Sequence, residues 1–143
     1  PLYSALTQSR DPQLAAIAAK SLKEALYHLR FSRGWMIRLG DGTPLSQQKL
    51  QQSINRLWRF TGELFHADAI EMALSEAGIA VDPRTLRDIW LQTVNETFEE
   101  ATLSLPEQAA YRLGGKQGSH TEHLGLILTQ LQFVQRAYPN SQW

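Results

Sequence analysis

"DPQLAAIAAKSLKEALYHLRFSRGWMIRL", residues 11 to 39, decides the fold class. It opens on an aspartate that can accept hydrogen bonds from the free amides of a first helical turn. The proline after it fills a position where its missing N–H costs nothing. From there Leu14, Ile17, Ser21, Glu24, His28, Phe31 and Trp35 recur at alternating spacings of three and four, which is one stripe of a helix. A neighbouring stripe carries Ala18, Leu22, Ala25, Leu29, Met36 and Leu39. The predicted helix is therefore apolar around much of its circumference and is expected to pack on several neighbours.

Working outward, "LGDGTP" at 39 to 44 breaks the helix with glycine and proline. The next segment, 46 to 65, places Leu50, Ile54, Leu57, Thr61 and Leu64 on one face with Trp58 and Phe65 beside it. It is expected to be a helix returning antiparallel to the first. A short helix follows in "ADAIEMALSEAG", with Gly78 as its stop. A second Asp-Pro pair, Asp82 and Pro83, starts a helix to about Ala101 with Leu86, Trp90, Val94, Phe98 and Ala101 inward. Pro106 and the glycines at 114, 115 and 118 mark a loop region. A last helix from about Thr121 sets Leu124, Ile127, Leu131, Val134 and Tyr138 on a stripe and halts at Pro139. No stretch alternates apolar and polar residues for long enough to be a strand. The expectation is an all-α bundle forming a single helical domain over residues 1 to 143. Upstream, the chain begins at Pro1, and "LYSALTQS" reads as the tail of a helix, so a fragment of a longer chain is expected.

Composition narrows the function. Fourteen basic and fourteen acidic residues balance, so no net charge draws the chain to nucleic acid or to an acidic membrane. The absence of cysteine removes disulfides, thiolate metal sites and cysteine nucleophiles, and a reducing cytoplasm is the simplest setting. The longest apolar run, "LAAIAA", is far shorter than the roughly 20 residues a membrane-spanning helix needs. Neither a nucleic-acid nor a membrane partner is expected. Nothing resembles a Gly-x-Ser-x-Gly nucleophile elbow. Trp35, Trp58 and Trp90 fall at packing positions.

Three clusters carry candidate chemistry. In "GGKQGSHTEHLG", residues 114 to 125, the phosphate reading fails on spacing, because Ala110 and Gln117 stand where a P-loop needs Gly and Ser or Thr. A loop delivering the chain to a helix start remains, with Lys116 beside helix amides as a possible contact for an anion, a CoA ester or a partner. His120 and His123 are spaced to share a helix face with Glu122 between them, as metal ligands or as interface residues.

Glu24 with His28, and Glu63 with His66, form the other two clusters. Carboxylate bundles that bind two irons use Glu-x-x-His pairs on facing helices, and "ELFH" has that spacing. "EALYH" has a spacing of four, which also shares a face. Glu63 equally suits an exposed ion pair with Arg59, and His66 a helix end where the dipole favours a cation. Glu24 and His28 interrupt an apolar stripe, which asks for a polar network inside the bundle or for a metal.

"SRDPQLAA", "KEALYHLRFSRGW", "LWRFTGELF", "GIAVDPRTLR" and "YRLGGKQGSHTEHLG" together resemble the PaaC-type subunits of bacterial phenylacetyl-CoA monooxygenases, the ring 1,2-phenylacetyl-CoA epoxidases of aerobic phenylacetate degradation. The resemblance runs over essentially the whole chain. It implies a ferritin-like helical fold, of which this chain would be the C-terminal part, with the first bundle helices lying upstream. It also implies a non-catalytic subunit with no cofactor of its own, partnered by other subunits of the complex. Among these is a catalytic PaaA subunit that carries a di-iron centre and the phenylacetyl-CoA site, and a separate reductase supplies electrons through flavin and iron-sulfur groups. On this reading no residue here is catalytic, and Glu24, His28, Glu63 and His66 are remnants of a metal site. The alternative is a ferritin-like subunit that keeps a carboxylate and histidine metal site of its own.

Overall fold

The computed structural model describes residues 1–107 and 110–142. Among the described residues the regular elements are all helical, the all-α architecture that the periodicity predicts. The chain is described as two compact units, Pro1–Arg112 and Leu113–Trp143.

The first unit is built on α2, Pro12–Gly40, preceded by the short α1, Leu2–Leu6. The Asp-Pro signal acts as predicted: the Asp11 carboxylate accepts from the amides of Gln13 at 2.8 Å and Leu14 at 3.0 Å. After the turn at 41 to 43, Thr43 and Ser46 form a reciprocal capping box that starts α3, Pro44–Leu57, with Pro44 in its first turn.

The predicted helix over 46 to 65 is corrected at Leu57. There the α-helix tightens into a 3-10 helix, Trp58–Phe65. The Thr61 hydroxyl donates to the Trp58 carbonyl at 2.8 Å within this tightened turn, and the Tyr111 ring lies where a Cβ at Gly62 would stand. The amide of Arg112 then donates to the Arg59 carbonyl at 2.8 Å, fixing the returning chain against this segment. Leu57 and Leu64 are consequently exposed instead of facing inward. Trp58 and Phe65 take the inner place, their rings 5.6 and 5.2 Å from that of Trp90.

α4, Ala69–Glu76, has its own capping box between Asp68 and Glu71 and stops at Gly78, whose φ of 72° lies in the left-handed region that glycine adopts without strain. The Gly78 carbonyl accepts from the Arg10 amide at 2.9 Å, and the Ile79 carbonyl accepts from the Ser9 hydroxyl at 2.6 Å. These bonds tie the first residues of the chain to the end of α4.

The second Asp-Pro pair starts a 3-10 turn, Pro83–Leu86, that runs into α5, Arg87–Glu100. Side-chain hydrogen bonds from Arg84, followed by its backbone amide, hold the Asp82 carboxyl below its ordinary value, and the same contact raises Arg84.

The core sits where the C-terminal half of α2, α3 and the end of α5 meet. Phe98, Ala101 and Leu103 are buried there, with Met36, Ile37, Leu50, Ile54, Trp58 and Val94 packed around them. Phe98 and Ala101 come from the predicted inward stripe of α5. Arg33 of α2 and Glu100 of α5 form an ion pair at 2.8 Å across the same two helices.

In the second unit a 3-10 turn, Gly115–Gln117, is bracketed by Gly114 at φ 110° and Gly118 at φ 85°. The predicted last helix is interrupted at Gln132, giving α6, His123–Leu131, and α7, Phe133–Ala137. Of the stripe that the sequence pattern sets on it, Ile127, Leu131, Val134 and Tyr138 are exposed.

Candidate functional site

The middle of α2 carries the first candidate pair. Glu24 and His28 lie 3.9 Å apart, one turn from each other on the same helix face. Their side chains are 76% and 66% exposed in this chain, where a polar network inside the bundle or a metal was the expectation. The stripe they interrupt is apolar, but in this chain it faces outward.

Neighbouring residues on that face form a ring ladder at a spacing of four. Tyr27 and Phe31 stack at 6.5 Å, and Phe31 meets Trp35 edge-on at 6.4 Å. Arg30 lies over the Tyr27 ring at 5.7 Å and Arg38 over Trp35 at 5.6 Å. Trp35 is 47% exposed, so its predicted packing role is not met within this chain, whereas Trp58 and Trp90 are packed together. Tyr27, Arg30 and Arg38 fall outside the two apolar stripes and escape a reading based on them, although their spacing from Phe31 and Trp35 is a signal that finds them.

Glu63 and His66 are not presented by one α-helix. Glu63 is half-buried in the 3-10 segment, and His66 follows that segment in extended conformation, at φ −86° and ψ 113°. A spacing of three places two side chains on one face of an α-helix or a 3-10 helix, but His66 lies past the helical segment in extended backbone, so helix geometry no longer sets its direction relative to Glu63. In the glycine-rich segment α6 begins at His123, so His120 lies before the helix and does not share a face with it. Glu122 and His123 stand 3.9 Å apart, both exposed. Glu122 is the N-cap residue of α6, and its carboxylate makes no capping hydrogen bond. Lys116 lies in the preceding 3-10 turn.

A di-iron centre needs several carboxylates and imidazoles converging from separate helices. Among the described residues, no three His, Asp or Glu side chains are grouped so as to hold a metal ion. The donor set therefore does not fit such a centre.

One cleft lies between α2 and α5, with a volume of about 460 Å³, lined by Leu26, Leu29, Arg33, Gly34, Ile37 and Glu100 among others. Its walls are mainly aliphatic, with the Arg33 and Glu100 ion pair at one side. The buried Nε of Arg33 has no hydrogen-bond partner among the described atoms. Such a surface suits packing of another chain segment better than bond chemistry. No helix among the described residues is long and apolar enough to cross a membrane.

Comparison with known proteins agrees with the sequence resemblance. The family model described as phenylacetic acid catabolic protein, PaaA_PaaC, matches residues 1–143. The chain is 63% identical over 142 residues to the C subunit of the 1,2-phenylacetyl-CoA epoxidase of Escherichia coli strain K12, an alignment covering 99% of this chain and 57% of that protein. The chain thus spans little more than half the length of this relative. With its helices and this match, the fold is all-α and of the ferritin-like class. The chain belongs to the phenylacetic acid catabolic protein family.

Proposed function

We propose that this polypeptide is a non-catalytic, structural part of a cytoplasmic phenylacetyl-CoA epoxidase complex, in which it supports a catalytic PaaA subunit during aerobic phenylacetate breakdown. The observation that carries the reading is the pairing of strong identity to a PaaC-type epoxidase component with acids and imidazoles that, among the described residues, do not converge. Di-iron chemistry then belongs to PaaA, and electrons reach it from a reductase carrying flavin and iron-sulfur groups. This chain binds, orients and excludes water through packed helices. Uncovered apolar surface favours the same role: twenty-five large apolar side chains among the described residues are exposed, far more than scattered surface residues account for.

The test is reconstitution. Mixing with purified PaaA should give a stable complex on size exclusion, and the chain alone should carry no stoichiometric iron by elemental analysis. Full epoxidase activity from PaaA and the remaining components without this polypeptide would defeat the proposal, as would a full complement of iron on the isolated chain.

A further inference from the structure

We propose that Arg59 and Arg112, held against the Phe60 ring with Arg56 beside them, form an anion site on the first unit that takes a phosphate or diphosphate group. The proposal is independent of the role suggested for the epoxidase complex.

Local structure brings the cations together. Arg59 and Phe60 stand in the 3-10 helix that follows α3, and Arg112 arrives from the far end of the first unit. The Arg112 amide donates to the Arg59 carbonyl at 2.8 Å, so the two backbones are tied side by side. Each guanidinium lies over the same ring, Arg59 at 5.9 Å and Arg112 at 6.0 Å from the Phe60 centroid. The neighbouring Tyr111 ring sits against Gly62 and anchors the incoming segment. Arg56 is exposed one helical turn before Arg59, a spacing that shares a face.

Charge supplies the argument for a ligand. Basic and acidic residues balance over the chain, fourteen of each, yet arginines collect at this point. Among the described residues no ion pair joins Arg56, Arg59 or Arg112 to an acid. Arginines elsewhere in the unit are neutralised: Arg33 meets Glu100 at 2.8 Å and Arg84 meets Asp82 at 2.7 Å. Like charges drawn onto one ring repel, and a bound anion relieves that repulsion.

Geometry selects the anion. A guanidinium over a ring keeps its fork of in-plane N–H donors for other partners. A carboxylate offers one bidentate edge and is satisfied by a single fork. A tetrahedral phosphate presents several edges and accepts two or three forks at once. The shared ring orders both forks before binding, which lowers the cost of ordering them in the complex. Phe60 is 38% exposed, so a ligand reaches the site without movement of the fold.

Isothermal titration calorimetry of the 143-residue chain with inorganic pyrophosphate, at physiological salt and without divalent cations, tests the site. One-to-one binding is expected with a Kd of about 0.1–1 mM, roughly tenfold or more tighter than acetate. Arg59→Ala and Arg112→Ala should each weaken it about tenfold or more, and Arg59→Lys, which keeps the charge but lacks the fork, should recover only part of the loss. Both side chains lie outside the buried cluster, so circular dichroism and the urea midpoint of the variants should match the parent. Arg30→Ala on α2 removes one positive charge elsewhere and should bind as the parent does. Titration with adenosine diphosphate separates the two sources of the group: tighter binding than pyrophosphate assigns it to a nucleotide, weaker binding to a free phosphate. The proposal is overturned by no binding below about 10 mM, by binding that survives both alanine variants, or by an oligoglutamate peptide that binds more tightly than pyrophosphate, which makes the patch a docking surface for an acidic protein instead.

Discussion

Replacing Gly40 by alanine should unsettle this fold more than its chemistry suggests. Gly40 is the buried last residue of α2 and lies against the end of α5. A Cβ there overlaps the Ala101 carbonyl oxygen and comes within 2.9 Å of the Ala101 Cβ. Neither atom can swing away, because Ala101 is fully buried and the next residue is held on both sides. The Thr102 hydroxyl donates to the Gly40 carbonyl at 3.2 Å, and the Gln47 side-chain amide donates to the Thr102 carbonyl at 2.8 Å. Thr102 itself sits at φ 55°, a conformation that tolerates little further displacement.

Overpacking of this kind costs about 1–3 kcal/mol, and the upper part of that range applies where backbone must move. Gly34, in the middle of the same helix, gives the control, since a Cβ there meets nothing within 4 Å. Gly34→Ala should stabilise the chain by about 0.5–1 kcal/mol through helix propensity alone. The two variants should differ by about 2–4 kcal/mol in urea unfolding followed by circular dichroism and tryptophan fluorescence. Equal midpoints, or a Gly40→Ala variant as stable as the parent, would refute the claim that the α2 and α5 backbones meet closely at this point.

Phe98→Ala removes the largest side chain of the buried cluster and should cost about 3–5 kcal/mol, read as a shift of the urea midpoint with little change in slope. Asp82 gives a pH signature: its carboxyl is lowered by the Arg84 side chain, so its stabilising effect is complete above the unfolded-state value and fades as pH falls through the lower folded value. Asp82→Asn keeps a capping oxygen but loses the charge, so it should melt earlier than the parent at pH 7 and draw level with it in strong acid. A gap that stays constant across that range counts against the ion pair as its source.

Much of the fold is legible in short-range signals. Both Asp-Pro helix starts, the Gly78 stop and the inward stripe ending in Phe98 and Ala101 are local chemistry, decided within a few residues by capping bonds and by a 3.6-residue period. The candidate site is less legible, for reasons tied to particular residues. Reading Glu63 and His66 as a helical pair requires the helix to run through His66, whereas it ends at Phe65, with Tyr111, some fifty residues away, packed at Gly62 inside that segment. Glu24 and His28 interrupt an apolar stripe, which points them inward on the pattern alone. Periodicity shows which residues share a face but not whether anything covers it, and here the face is open.

By itself, then, the sequence determined the helical class and the element starts, because capping and periodicity are properties of neighbouring positions along the chain, and its quoted segments carried the resemblance to the family. Only the tertiary structure decided that α3 tightens after Leu57, that Gly40 and Ala101 touch, and that Tyr27, Phe31 and Trp35 remain in solvent. Burial and close contact depend on which distant segments meet, and a helix's own period carries no record of its neighbours.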